Sequence, residues 1–159
     1  MIIAEEEQWV RDFDWFATDE SGCIGHFTTA GFKLLPQSVS ASAEDLKTVT
    51  DYFQSLMPTG AGYEVSADLE KEAGPFKSEK ERARYLSGIA YLANSGLFSF
   101  DIESYLEPGL AYFRVAVPVQ PLRLESLPKN IREIVERTRL EGIRFGDTSH
   151  VDYELTLCL

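Results

Sequence analysis

Cysteine is scarce in this 159-residue chain, with Cys23 and Cys158 its only two. Neither sits in a CxxC pair, which excludes a disulfide framework and leaves two reduced thiols as the expectation. Histidine is equally scarce: His26 and His150 stand alone. Two cysteines and two histidines this far apart match no common zinc spacing, so no metal is expected. No apolar run approaches the roughly 18 residues a membrane-spanning helix needs, so no membrane partner is expected. The N-terminus, MIIAEEEQWVRD, follows a brief apolar start with three glutamates. A secretory leader would carry positive charge and then a longer apolar stretch, so the expected location is cytoplasmic. Repeats and low-complexity tracts are absent, and the length suits one globular domain over residues 1–159.

Catalytic signatures are missing too. There is no GxSxG elbow, no HExxH and no Walker A loop. Thr59-Gly60-Ala61-Gly62 looks phosphate-binding, but no lysine follows it within the loop and the third glycine is replaced by Val65; it reads as a turn. No cofactor is expected.

Positive charge is short and unevenly placed. Residues 1–75 carry 4 basic and 14 acidic side chains, a net of −10, while residues 76–159 carry 11 and 12, a net of −1. Such a field repels nucleic acid and anionic membrane and favours a basic protein partner. Solubility alone also accounts for it.

Asp14 to Gly31, DWFATDESGCIGHFTTAG, reads as a β-hairpin. Asp19 suits the first position of a type I turn and Gly22 the left-handed position after it. That register pairs Trp15 with Phe27, Phe16 with His26 and Ala17 with Gly25. Both faces are partly apolar, so the hairpin is expected to be covered on each side. Ala17 opposite Gly25 leaves a shallow groove between aromatics where another element packs closely.

Helices are expected at about 43–57, 79–94 and 128–140. Ser42 and Ser78 cap the first two, with Asp45 and Glu81 completing each capping pattern. Leu46, Val49, Phe53, Leu56 and Met57 form one apolar stripe; Tyr85, Leu86, Ile89, Leu92 and Ala93 form another. In the third, Leu127, Ile131, Ile134 and Val135 face inward, and Arg132–Glu136 and Glu133–Arg137 are opposite charges four apart. Residues 58–77 read as a surface loop with an extended piece near Tyr63 to Ala67. Strands follow the period-two alternation of 98–102, 111–119 and 150–159, each with one solvated face. The predicted fold class is α+β: an antiparallel sheet with about three amphipathic helices packed on one face.

The candidate chemistry is sparse. Cys23 and His26 invite a nucleophile–base pair, but three residues apart on a strand they point to opposite faces. Cys23 with His150 is the remaining pairing. Asp14, Asp19, Asp101, Asp152 and Glu154 are expected to converge on an exposed sheet face, where carboxylates serve hydrolysis, cation binding or solubility. Trp9, Tyr52, Tyr105 and Tyr112 fall off the core faces, as aromatics of a protein-binding patch do.

The hairpin pattern Asp14-Trp15-Phe16, Asp19, Gly22, Ile24, Phe27 resembles an opening of small acidic bacterial proteins of uncharacterised function, some of them immunity-protein-like. The resemblance covers the hairpin alone. It implies a compact α+β or α/β cytoplasmic protein that neutralises a basic or nuclease-like toxin by covering it. The leading expectation is therefore a non-enzymatic protein-binding module with Asp14, Trp15, Asp19, Glu20 and His26 as binding residues. The alternative is a small enzyme, a hydrolase built on Cys23, His26 or His150 with carboxylates. A third reading is a homodimer paired through the C-terminal strand.

Overall fold

A computed structural model describes residues 1–103, 109 and 111–159. Tyr105 lies outside them. The order is α1 (Glu5–Gln8), β1 (Asp14–Asp19), β2 (Ile24–Thr28), α2 (Gln37–Ser40), α3 (Ala43–Ser55), β3 (Tyr63–Val65), α4 (Leu69–Ala73), α5 (Glu79–Asn94), β4 (Phe98–Ile102) and β5 (Ala111–Pro118). A 3₁₀ turn at Leu124–Ser126 then leads into α6 (Lys129–Glu136), β6 (Arg139–Leu140), β7 (His150–Asp152) and α7 (Tyr153–Leu157).

The fold is α+β, and its sheet is mixed. Its path is β3-β5-β4-β2-β1-β6, with β7 paired to β5. The β1–β6 and β2–β4 pairs are parallel, which corrects the expected all-antiparallel sheet. Parallel neighbours need a long crossover, and α3 and α5 lie in the connection from β2 to β4.

The hairpin forms as its turn chemistry dictates. Trp15 pairs with Phe27, Phe16 with His26 and Ala17 with Gly25. Gly22 adopts φ +85°, and its N–H donates to the Asp19 carbonyl. The groove at Ala17 and Gly25 is filled by Phe145: a Cβ added to Gly25 would lie 2.8 Å from that ring.

Three helices share one face of the sheet. Phe53 of α3 packs its ring against Phe16, with centroids 4.6 Å apart. The α6 helix lies on the same side, where Val135 and Ile134 close with Phe16 and Val49 around a small hollow. In α5, Leu86, Ile89 and Ala93 pack on Phe113, Val115 and Ala116 of β5. The opposite face is an aromatic layer. Trp15 stacks on Phe27 at 4.2 Å, Phe27 on Phe100 at 4.7 Å, and Tyr112 and Phe145 stand edge-on beside them. With both faces covered, Ser99 and Asp101 are buried, contrary to the solvated face that alternation predicts for β4. Trp15 and Tyr112 are core residues with no exposed surface, and among the described residues the Trp15 Nε1 and Tyr112 Oη have no hydrogen-bond partner. Burial pushes the Tyr112 phenol well above its ordinary pKa.

Several boundaries move. Ser42 and Ser78 accept from the N–H groups of Asp45 and Glu81, as the capping pattern requires. Met57 is past the end of α3 and exposed. The 58–77 segment contains β3 and the short helix α4, whose Leu69 is buried. The third helix stops at Glu136, and the next residues pair with β1 as β6. Its charges choose other partners: Arg137 reaches Asp45, Glu136 reaches Arg139 and Glu133 reaches Lys129. The expected C-terminal strand ends at Asp152, because the Asp152 carboxylate accepts from the Glu154 N–H and starts α7. The strand invoked for a homodimer is thus three residues long, with one edge paired to β5. No described helix is long and apolar enough to cross a membrane.

Candidate functional site

The α3 and α5 helices part above the strands to leave a cleft of about 430 Å³. One wall is the stripe Tyr85, Gly88, Ile89 and Leu92, which the 3.6-residue period of α5 places on one face. The Tyr91 hydroxyl bridges the other end, 2.5 Å from the Gln54 carbonyl oxygen and 2.7 Å from that of Leu56 at the C-terminus of α3.

The floor is polar. Asp14 pairs with Thr28 across the hairpin, and the β2–β4 register brings Asp101 level with Thr28. At about 4.8 Å per strand, the Asp14 and Asp101 backbones stand ~10 Å apart across this row. Asp12 joins from just before β1: its Oδ1 accepts from Thr28 Oγ1 at 2.8 Å and from the Ala30 N–H at 2.6 Å. Asp101 accepts from the Tyr85 hydroxyl at 2.6 Å and from the Ile102 N–H at 2.7 Å.

His26 is buried between two partners. Its Nε2 lies 2.8 Å from Asp14 Oδ1 and its Nδ1 3.2 Å from Ser99 Oγ. Burial pushes the Asp14 carboxyl up, but the hydrogen bond and charge of His26 outweigh it, so its pKa lies below the ordinary aspartate value. Serine, histidine and aspartate in a row suggest a hydrolase triad, yet the order is inverted. In a triad the serine faces substrate and the aspartate is buried. Here Ser99 is fully buried and Asp14 opens to the cleft.

The other anticipated residues lie elsewhere. Asp19 is buried and consumed by the turn: Oδ1 accepts from Ser21 N–H, Ser21 Oγ and Cys23 N–H, and Oδ2 accepts from Phe145 N–H. Glu20 is exposed at the hairpin tip and pairs with Arg144 at 2.7 Å. Trp15 belongs to the aromatic layer. Cys23 faces Arg123, whose Nη1 is 3.1 Å from Sγ, and does not meet His150. His150 instead lies 3.2 Å from Glu72 and 3.9 Å from Glu103, with Ser149 on its Nδ1. Asp152 caps α7 and Glu154 lies within it, so of the five acids expected together only Asp14 and Asp101 meet. Asp12, Thr28, Ser99 and Gly88 carried no signal in the sequence beyond their element types; Tyr85 read as core.

Comparisons with protein-family models, with curated proteins and with solved structures return no match, so the chemistry of this cleft has to be read from its own side chains.

Proposed function

We propose that this protein is a non-enzymatic binding module whose cleft receives a basic segment of a partner protein. One observation carries the reading: three carboxyl groups, Asp12, Asp14 and Asp101, line the cleft with a single imidazole, and no lysine or arginine is among the described residues that line it, Arg11 and Lys47 belonging to the adjoining hollow that Asp12 and Asp14 also border. Even a doubly protonated His26 leaves the acids in excess. His26 also keeps Asp14 ionised, which suits a receptor for a cation. A volume of about 430 Å³ falls in the range of small-ligand pockets and fits one or two side chains. The net −10 of residues 1–75 would steer a basic partner toward this side.

A hydrolase is the less favoured reading, because the serine that His26 touches is fully buried and closed off from the cleft. The immunity-like hairpin points the same way as the cleft, toward a small cytoplasmic protein that covers a basic partner.

The test is calorimetric titration with a lysine-rich peptide and a glutamate-rich peptide of equal length, at low and high salt. Binding of the lysine peptide alone, weakened by salt and by Asp14→Asn, is the expected result. Equal affinity for both peptides, or none in the wild type, would overturn the reading.

A further inference from the structure

Gly88 sits in the interior of α5, where glycine destabilises a helix by roughly 1 kcal/mol relative to alanine. The usual reasons for a glycine are missing. Its φ is not positive, and no described atom lies within 4 Å of where a Cβ would project. By contrast, Gly25 and Gly96 are crowded, and Gly22, Gly60, Gly62 and Gly142 have positive φ. What Gly88 does is line the cleft, between Tyr85 and Leu92 on the stripe that faces the carboxylates.

We propose that Gly88 holds open the berth for the stem of an alkylammonium group, which lies across the bare helix backbone with its head on Asp12 and Asp14. This rests on the cation-receptor reading of the cleft and names its occupant. The wall is apolar, with Ile89 and Leu92 beside Gly88, while the floor is acidic. A long apolar stem with a charged tip matches both surfaces at once. The head is an ammonium and not a guanidinium for a geometric reason. Asp14 spends Oδ1 on His26, and Asp12 spends Oδ1 on Thr28 and Ala30. In each, Oδ2 is the oxygen with its full accepting capacity left among the described contacts. A guanidinium fork binds best to both oxygens of one carboxylate, whereas a compact ammonium with three donors bridges single oxygens of two.

A lysine side chain of a partner and a free diamine share this chemistry. The experiment measures, by NMR and calorimetry, binding of a lysine-rich peptide, its arginine counterpart and 1,5-diaminopentane. The proteins are wild type, Gly88→Ala, Gly88→Leu and Asp14→Asn. Wild type is expected to bind the lysine peptide more tightly than the arginine peptide. Gly88→Leu is expected to lose at least tenfold in affinity, and Gly88→Ala severalfold. Both should raise Tm, by about 3 °C for alanine, because the helix gains a better former. Opposite signs for fold and binding separate a blocked berth from a damaged protein. Diamine binding at the same site, also lost in Gly88→Leu, assigns the berth to free amines as well and supports the proposal. Loss in Asp14→Asn with full affinity in Gly88→Leu overturns the role of Gly88 and leaves the cation receptor standing. A wild type that binds none of the three probes overturns both.

Discussion

Replacing Gly25 by alanine tests how the two faces of the hairpin are packed. The new Cβ would lie 2.8 Å from Cε2 and Cζ of Phe145 and 3.0 Å from Cε2 of Phe27. Carbon atoms prefer about 3.5–4.0 Å, so the rings must retreat by roughly 0.7 Å or more. Phe145 has no room to do so: it is fully buried and already rests on Phe100 and Phe98, with centroids 5.3 and 6.0 Å away. Overpacking of this kind costs about 1–3 kcal/mol. The stiffer unfolded chain returns about 0.4–1 kcal/mol. The net expectation is a loss of about 1–2 kcal/mol. With an unfolding entropy near 2.1 cal/mol/K per residue, a chain of this length shifts about 3 °C per kcal/mol, so Tm should fall by about 3–6 °C. Differential scanning calorimetry and urea unfolding both read it. Adding Phe145→Leu should make the alanine nearly harmless relative to Phe145→Leu alone, a coupling visible in a double-mutant cycle. An unchanged or raised Tm in the single variant would refute the claim that Phe145 occupies this groove.

Asp19→Ala removes the acceptor of three backbone N–H groups, those of Ser21, Cys23 and Phe145, and should cost about 2–4 kcal/mol in urea unfolding; a loss under about 1 kcal/mol would show the turn does not depend on it. Asp152→Ala should cost about 1 kcal/mol and speed amide exchange in Tyr153–Leu157 while leaving β4 and β5 protected. His26→Gln should raise the pKa of Asp14, read by NMR titration of its carboxyl carbon. Because that pKa is depressed in the fold, the ionised form stabilises the protein above the ordinary value of 3.8 and is lost as pH falls through the lower one. In the variant, without the His26 contacts that depress it, that pH-dependent contribution is lost. An unmoved titration would remove His26 as its cause.

What the sequence made legible was local. Asp19 and Gly22 specify their turn within four residues, and Ser42 and Ser78 announce helices by capping the third residue onward. The C-terminus was misread because Val151, Tyr153, Leu155 and Leu157 alternate as a strand would. There a single carboxylate, Asp152, tips the chain into helix after only three residues have paired with β5. Ser99 and Asp101 read as solvated because polar side chains on a strand usually are. Their partners, His26 and Tyr85, come from other elements, and His26 stands 73 residues from Ser99. The cleft was illegible for the same reason. Its floor depends on the parallel β2–β4 pairing, which no hairpin signal reveals, and its wall on an empty position at Gly88.

Tyr91 has a further consequence. Its hydroxyl ties the last carbonyls of α3 to α5, groups that a helix end leaves without intrahelical donors. The tyrosine thus works as a strut of set length, and the gap between the helices exists before anything enters it. For the cation receptor proposed above, the helices on either side of the cleft would then be tied before binding, and little of their ordering would be deducted from the affinity.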